Sequence, residues 1–347
     1  MELSERKRKI LAAVVELYIK TGEPVGSKAL SDLPELSVSS ATIRNEMSEL
    51  AELGLLEQPH TSAGRIPSQE GYRYYIDHLM GRHELTPEER RRLDSLFSVN
   101  PGDPEKVLGQ AGEVLADITN CAAVSTTPAD AQASIRRIEL VPVAANTAMV
   151  VLLTTSGILK SGLCRAMVPI DERFRTAFAN IAEKHFIGRP VCEVSVPQIQ
   201  TLAASLGEYT LTMSPVLITL AQLAHEAAQA EILLDGQTNL LSYDERGVDV
   251  REALEFLRDT SPLEHLMDSG RERVRVFIGS ENTFRQLRNF SMILSPYKLA
   301  GRPGGAIGII GPTRMDYASL IPHIEYLSAI VGKLLSEALG GDDYAIL

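Results

Sequence analysis

Residues 39–75, SSATIRNEMSELAELGLLEQPHTSAGRIPSQEGYRYY, decide the fold of the N-terminal part of this 347-residue chain. The stretch opens with two serines, whose hydroxyls can accept hydrogen bonds from the unpaired N–H groups of a first helical turn. Ile43, Met47 and Leu50 follow at four- and three-residue spacing, which predicts one buried stripe on an α-helix. Gly54 lies where such a helix usually ends. The sequence therefore predicts a helix that begins at the serines and ends near Gly54.

The face of this helix opposite the apolar stripe has the composition of a surface that contacts DNA. Its N-terminal half carries small polar side chains and one cation, whereas Glu49 and Glu52 near its C-terminal end would repel phosphates. Such a helix would enter a DNA groove by its N-terminal end only. The predicted contacts are Ser39, Ser40, Thr42, Arg44, Asn45 and Ser48. The same composition suits the solvated face of an ordinary core helix, so the flanking sequence has to decide between the two.

Two short strands with a polar tip between them are predicted after the helix. The segments 55–59 and 66–68 each contain a proline, which confines them to edge positions, and Gly64 is expected to supply turn freedom. A two-stranded tip behind a recognition helix is typical of a winged helix. Polar side chains at such a tip can donate to phosphate or reach into the minor groove. The predicted wing contacts are His60, Thr61, Ser62 and Arg65.

Elements on either side of this stretch complete a winged helix-turn-helix. A first helix is predicted over residues 4–20, and Ser27 is suited to cap a short second helix. A further helix begins after Ser68. Its Tyr72 and Tyr75 have the helical spacing of core residues rather than of a platform on which bases stack.

The chain is acidic, with 34 Lys and Arg against 45 Asp and Glu and a net charge of −11. Residues 1–80 alone hold nine Lys and Arg against twelve Asp and Glu, so this segment carries −3. Because nucleic-acid binders often carry a basic excess, any cations that contact DNA have to be placed locally. The basic run at residues 6–9 is expected to be a solvated first turn, with a nearby phosphate as the alternative. The acidic remainder should weaken non-specific binding and leave affinity dependent on a particular site.

Composition and motifs argue against several classes of protein. No apolar run approaches the ~20 residues of a membrane span, and the N-terminus lacks the apolar core of a signal peptide. Cys121, Cys164 and Cys192 are scattered, which favours three buried thiols in a reducing cytoplasm over a disulfide framework or a metal site. The sequence has no GxSxG, HExxH or Cys–His motif. We therefore expect a cytoplasmic protein that is not an enzyme and has no catalytic residue, metal site or cofactor.

The remainder of the chain indicates an α+β domain with an insertion. Strand patterns lie at residues 135–143, 148–155, 158–167, 273–279, 291–297 and 305–311. Between the third and the fourth of them, residues 171–234 have a helical pattern. The glycine-rich segment 301–315 lacks GK[ST], and Pro312 prevents a helix from opening where a phosphate would need one. We expect a tight turn and a buried strand there, not a phosphate loop.

Four blocks of the sequence resemble signature blocks of the HrcA family of bacterial heat-inducible transcription repressors. They are PVGSKAL, SSATIRNEM, PHTSAGRIPSQEGYRYYID and GRPGGAIGIIGPTRMDY, and they lie near both ends of the chain. The resemblance implies an α+β multidomain protein in which a GAF-like domain follows the winged helix-turn-helix and is interrupted by an inserted dimerising domain. The predicted boundaries are 1–82 for the winged helix, 83–120 for linker helices, 121–169 and 251–347 for the GAF-like domain, and 170–250 for the insertion.

The resemblance also implies a function and partners. It implies a homodimeric repressor that binds an inverted-repeat DNA operator of chaperone genes and that a chaperonin keeps in its active form. The sequence itself contains no chaperonin-binding motif. The alternative is a transcription regulator that responds to a small ligand held in a pocket of the GAF-like domain. A third hypothesis is an enzyme with an appended DNA-binding domain, and the detection of catalytic turnover would be needed to support it.

Overall fold

The computed structural model of the chain divides into two compact units. The first unit is Met1–Ser125 with Ile232–Leu335, and the second is Thr126–Glu231 with Ser336–Leu347. The structure describes residues 3–36, 38–60, 63–81, 83–97, 104–127, 133–205, 210–243, 250–263, 267, 273–299 and 301–338. Within these residues, no helix is long and apolar enough to cross a membrane.

The N-terminal elements have the order of a winged helix-turn-helix. They are α1 Glu5–Thr21, α2 Ser27–Ser31, α3 Ser40–Glu52, β1 Leu56–Glu57, β2 Ile66–Pro67 and α4 Gln69–Tyr74, which continues as a single π-helical turn, Tyr75–Leu79. Ser4 caps α1, because its hydroxyl accepts from the N–H of Lys7. Helix α2 begins at Ser27 itself and has no side-chain cap, which differs from the capping role predicted for that serine.

Two helices and a strand follow the winged helix-turn-helix along the chain. They are α5 Pro87–Leu96, α6 Pro104–Thr119 and β3 Ala122–Thr126. Helix α5 begins with a complete capping box, in which the Thr86 hydroxyl accepts from the N–H of Glu89 and the Glu89 carboxylate accepts from the N–H of Thr86. Both helices were predicted as linker elements, and the structure places them in the first unit.

In the part of the second unit that the structure describes, one sheet is combined with three α-helices and a 3₁₀ turn, Val191–Glu193. The strands and α-helices of this part are β4 Ile135–Ala144, β5 Thr147–Thr154, β6 Leu159–Arg165, α7 Glu172–His185, α8 Val196–Ser205 and α9 Thr210–Ala228. The three strands form an antiparallel sheet in sequence order. Val150 and Leu152 on its inner face share a core with Phe178 of α7 and Leu220 of α9.

The chain then returns to the first unit and completes a five-stranded sheet. The strands and α-helices of this part are β7 Ile232–Asp235, α10 Val250–Phe256, β8 Arg275–Ile278, β9 Phe290–Leu299, β10 Arg302–Pro312 and α11 Tyr317–Ala338. The strand order is β7-β3-β10-β9-β8, so β7 and β8 are the edges. Ile309 packs with Ile324 of α11 on one face, and the adjacent Ile310 belongs to a separate core on the other. This alternation confirms the buried strand predicted from the glycine-rich segment.

This division differs from the boundaries predicted from the sequence. The meander β4–β6 was assigned to the same domain as the C-terminal strands, with the insertion starting at residue 170. Instead, β4–β6 form their own sheet and share a core with α7 and α9, so the interrupting segment is 126–231. Strands β3 and β7 were not predicted as strands. They lie where the chain leaves the first unit and where it returns to it, and they complete the larger sheet.

The three cysteines are not all buried. Cys121 and Cys164 are buried, as predicted, but Cys192 is exposed in the second unit. Burial raises the pKa of the Cys121 thiol to about 11, so this thiol remains protonated at neutral pH.

Candidate nucleic-acid interface

Helix α3 forms where the sequence predicts it, and its apolar stripe faces inward. The Ser39 hydroxyl accepts from the N–H of Thr42 at 3.2 Å and so caps the first turn. Ile43, Met47 and Leu50 are buried in the same core as the apolar residues of α1. The orientation of α3 follows from this burial, because the opposite face is left toward solvent.

The six residues predicted on the recognition helix separate into two groups. Ser39 and Thr42 are engaged with each other at the cap, and the Ser48 hydroxyl donates to the main-chain oxygen of Arg44 at 3.0 Å. Arg44 and Asn45 are exposed on the first turns of the helix. Ser40 is also exposed. The outward part of the predicted set is therefore compact and lies at the N-terminal end, where a recognition helix contacts bases.

Two of the three acidic residues of α3, Glu46 and Glu49, are held by the first helix. The Lys7 ammonium lies 2.7 Å from the Glu49 carboxylate and 3.1 Å from that of Glu46, and Arg6 lies 3.5 Å from Glu46. Both carboxylates raise the pKa of Lys7, Glu49 by the larger effect. The basic run at residues 6–9 therefore has a role that was not predicted. Because the partners of Arg6 and Lys7 are 39 or more positions away in sequence, no local spacing could have indicated these pairs, unlike the pair of Lys9 with Glu5 of its own helix.

The wing has the predicted strand pairing. Leu56 lies opposite Pro67 and Glu57 opposite Ile66, in an antiparallel arrangement. His60 is exposed and its main-chain oxygen accepts from the N–H of Ala63 at 2.9 Å, which closes the chain around the tip. The two other predicted tip residues, Thr61 and Ser62, lie outside the described residues.

Arg65 is anchored by its backbone at the base of the wing. Its N–H donates to the Val25 oxygen at 2.9 Å and its oxygen accepts from the Val25 N–H at 2.8 Å. The side chain is half-buried, and its Nε has no hydrogen-bond partner among the described residues. A buried guanidinium nitrogen without a hydrogen-bond partner destabilises the fold. A phosphate oxygen of bound DNA would be a suitable acceptor for the guanidinium of Arg65.

Gly64 serves packing rather than a turn. Its φ is not positive, so the expected turn freedom is not what this position uses. A Cβ there would lie 2.3 Å from the main-chain oxygen of Val25. Only glycine therefore lets the base of the wing approach the segment that leads into α2.

The buried tyrosines confirm their predicted structural role. Tyr72 and Tyr75 each retain 3% of their exposure and belong to the core that includes α1 and α3. The Tyr75 hydroxyl donates to Glu16 of α1 at 3.3 Å. These rings anchor α4 behind the wing and are not available for stacking on bases.

The exposed side chains of α3 include types that hydrogen-bond to DNA bases. Exposed Arg44 and Asn45 can each make two hydrogen bonds to one base edge, Arg to guanine and Asn to adenine. Within the described residues, no group of three His, Cys, Asp or Glu side chains is placed to hold a metal ion.

Two family models match the chain over most of its length. The model "Winged helix-turn-helix transcription repressor, HrcA DNA-binding" matches residues 2–77, and the model "HrcA protein C terminal domain" matches residues 105–321. The first match covers α1 to α4 with the wing, and the second covers parts of both compact units.

Relatives named "Heat-inducible transcription repressor HrcA" align from end to end. The protein of Acetivibrio thermocellus is 33% identical over 348 residues and 99% of each chain. That of Halalkalibacterium halodurans is 34% identical, over 96% of this chain and 98% of the relative. A crystal structure described only as that of a hypothetical protein, 28% identical, superposes with a TM-score of 0.69 over 97% of this chain and 100% of its own. The chain belongs to the HrcA family, whose named relatives are heat-inducible transcription repressors and not enzymes.

Proposed function

We propose that this protein represses chaperone genes as a homodimer that binds an inverted-repeat DNA operator. The observation that carries the proposal is the division of α3 into two ends of opposite character. Arg44 and Asn45 face outward on its first turns, while Glu46 and Glu49 farther along are paired with Lys7. A helix built in this way presents its N-terminal end to the major groove and withholds its acidic end from the phosphates.

In this proposal the two parts of the domain have different tasks. Arg44 and Asn45 contact base edges, and Ser40 at the start of the helix contacts the adjacent phosphate. The wing contributes His60 and Arg65, together with Thr61 and Ser62. These wing contacts supply affinity but little sequence information, because phosphates are the same at every base pair.

Dimerisation belongs to the second unit in this proposal, through the outer face of its sheet. Leu217, Leu220 and Leu223 of α9 are buried inside that unit and cannot also contact a partner. The outer face of its sheet is a better candidate. Strand pairing aligns Leu163 with Met149 and Leu159 with Leu153 on this face.

That outer face has exposed apolar side chains on β4 and β6, beside the Arg137–Glu139 ion pair of β4 and Arg165 of β6. Leu163 is 69% exposed and Leu159 is 59% exposed, and Val141 of β4, opposite Met149, is 38% exposed. A second copy related by a two-fold axis would cover the same residues on both subunits, as an isologous contact requires. An apolar face that is covered in this way no longer exposes leucine side chains to water.

The GAF-like assignment and the chaperonin are the two remaining parts of the proposal. A five-stranded sheet, antiparallel from β3 through β10 and β9 to β8, with α6 and α11 packed on one face supports a GAF-like interpretation of the larger domain. The chaperonin comes from the family resemblance alone, in which it keeps the repressor active in the cytoplasm. Folding of the repressor in the presence and absence of chaperonin, followed by operator binding, would test that part.

Footprinting of the purified protein on the DNA upstream of its own gene tests the main proposal. No small ligand is added. We expect protection of two half-sites related by a dyad, at nanomolar to micromolar protein. Protection that appears only after a metabolite extract is added would favour the ligand-responsive alternative, and the absence of any protected site under both conditions would overturn the proposal.

A further inference from the structure

Arg73 of helix α4 binds the edge of the five-stranded sheet and the turn that follows it. Arg73 Nε donates to Glu281 Oε1 at 2.9 Å, and its Nη2 pairs with the other oxygen of the same carboxylate. The same Nη2 donates to the main-chain oxygen of Val276 on edge strand β8 at 2.6 Å. A guanidinium fork on a carboxylate fixes direction as well as distance, because two parallel hydrogen bonds have to form together. We call these three residues the α4 clamp.

Two neighbouring contacts hold the same helix to the same part of the sheet domain. The Gln69 side-chain oxygen accepts from the Ser280 N–H at 2.8 Å and from the Ser280 hydroxyl at 2.7 Å. The rings of Tyr72 and Tyr317 lie 5.9 Å apart, centre to centre. Gln69, Tyr72 and Arg73 thus contact the domain that contains the five-stranded sheet, here called the sheet domain, along the length of α4. These contacts fix the direction of the helix axis relative to that domain.

Helix α4 is in turn fixed to the recognition helix and the wing. The Ser68 hydroxyl donates to the main-chain oxygen of Gly54 at 2.5 Å and accepts from the N–H of Gly71 at 3.0 Å. A Cβ at Gly71 would lie 2.0 Å from the main-chain oxygen of Leu55, so α4 lies directly against the chain that leaves α3. A rotation of α4 on the sheet domain would therefore carry α3 with it.

We propose that Arg73 and Glu281 are positioning residues that set the direction in which each subunit presents α3 to its half-site. Neither residue contacts DNA in this assignment. The clamp determines which spacing of half-sites two subunits can occupy together, because two rigidly held recognition helices fit one separation and one helical phase of the duplex. The inference rests on the proposed function, since spacing has a meaning only for a homodimer on an inverted repeat.

The experiment compares half-site binding with full-site binding for the intact protein. The probes are the footprinted operator, one isolated half-site, and operators whose spacer is shortened or lengthened by one and by two base pairs. The variants are Arg73→Ala and Glu281→Gln, the second of which keeps the size of the side chain. Arg251→Ala is the matched control, because it removes a surface ion pair of 3.1 Å to Glu255 on α10.

The clamp predicts a specific pattern of losses. Both variants should bind the half-site within about twofold of the unchanged protein, and bind the natural operator about tenfold more weakly, because a loosely tethered second helix has a lower effective concentration at its half-site. Their preference for the natural spacer should flatten. Arg251→Ala should keep both affinities and the spacer preference.

The spacer preference and the ratio of the two affinities decide whether the clamp sets the direction of α3. A spacer preference that persists in both variants would overturn the proposal that the clamp sets the direction of α3. Half-site and full-site affinities that fall by the same factor would also overturn it, because a merely structural role of the two residues would give equal losses. If thermal unfolding shows that Arg73→Ala does not fold, Glu281→Gln alone decides. If the unchanged protein binds the half-site as tightly as the operator, the homodimer proposal fails, and the clamp fails with it.

Discussion

The Lys7 ammonium of helix α1 lies 2.7 Å from the Glu49 carboxylate of helix α3, and this contact joins the most cationic part of the domain to the acidic end of the recognition helix. Lys7 also lies 3.1 Å from Glu46. A domain with an acidic balance can bind a polyanion if its carboxylates are paired where they would otherwise oppose phosphates. The arrangement therefore explains how a chain of net charge −11 can present a DNA-binding surface.

Replacement of Lys7 by Gln tests this relationship. Without the ammonium, Glu49 loses its cationic partner and Glu46 keeps only Arg6, at 3.5 Å, so these carboxylates oppose the DNA backbone and we expect weaker binding to specific and non-specific DNA alike. The loss should shrink as salt is added, since screening weakens repulsion between exposed charges. Titrations at two salt concentrations measure it. Lys9→Gln is the control, because Lys9 pairs with Glu5 of its own helix at 2.9 Å; an equal loss in both variants would contradict a special role for Lys7.

Replacement of Asn45 or Arg44 by Ala tests the base contacts. Each change should cost about 1–3 kcal/mol of operator binding and relax preference at one base position, because a bidentate contact to one base edge is lost. Competition with operators mutated at single positions gives both quantities. Glu52→Gln on the last turn of α3 should leave the base preference unchanged. If Asn45→Ala retains full affinity and preference, the placement of α3 in the groove is wrong.

Replacement of Arg65 by Ala tests the wing. A phosphate contact carries no sequence information, so binding to all DNA should weaken by a similar factor. The slope of log affinity against log salt should become shallower by about one phosphate contact. The main-chain bonds to Val25 are kept in this variant, so the wing should stay folded. An unchanged slope together with lost specificity would assign Arg65 to base recognition instead.

Replacement of Leu163 by Glu tests the outer face of the smaller sheet. Because a two-fold contact places the residue close to its own copy or to the same apolar patch, one substitution introduces two buried charges per dimer. Sedimentation should show monomers at concentrations where the unchanged protein is dimeric, and operator binding should weaken more than half-site binding. Leu241→Glu is the control, since Leu241 is 56% exposed in the first unit. A Leu163→Glu dimer of unchanged stability would exclude this face.

Local sequence determined the winged helix-turn-helix. The serine cap and the stripe of Ile43, Met47 and Leu50 define α3 through hydrogen bonds and spacings that span fewer than a dozen residues, and the structure confirms them. The same holds for Tyr72 and Tyr75, which helical periodicity assigns to the core. The outward direction of Arg44 and Asn45 follows from that stripe, so these candidate contacts could be predicted from the sequence alone.

The tertiary structure alone decided which surfaces meet. The alternation of apolar and polar residues marks β4–β6 as strands, but this alternation is the same in every sheet. It therefore did not show that β4–β6 form a separate sheet that packs on α7 and α9. Lys7 and Glu49, like Arg73 and Glu281, are separated by too much chain for a spacing rule to connect them. The physical reason is that burial and hydrogen bonding within one element depend on neighbours in sequence, whereas the pairing of charges and the choice of sheet depend on how separate elements fold back on one another.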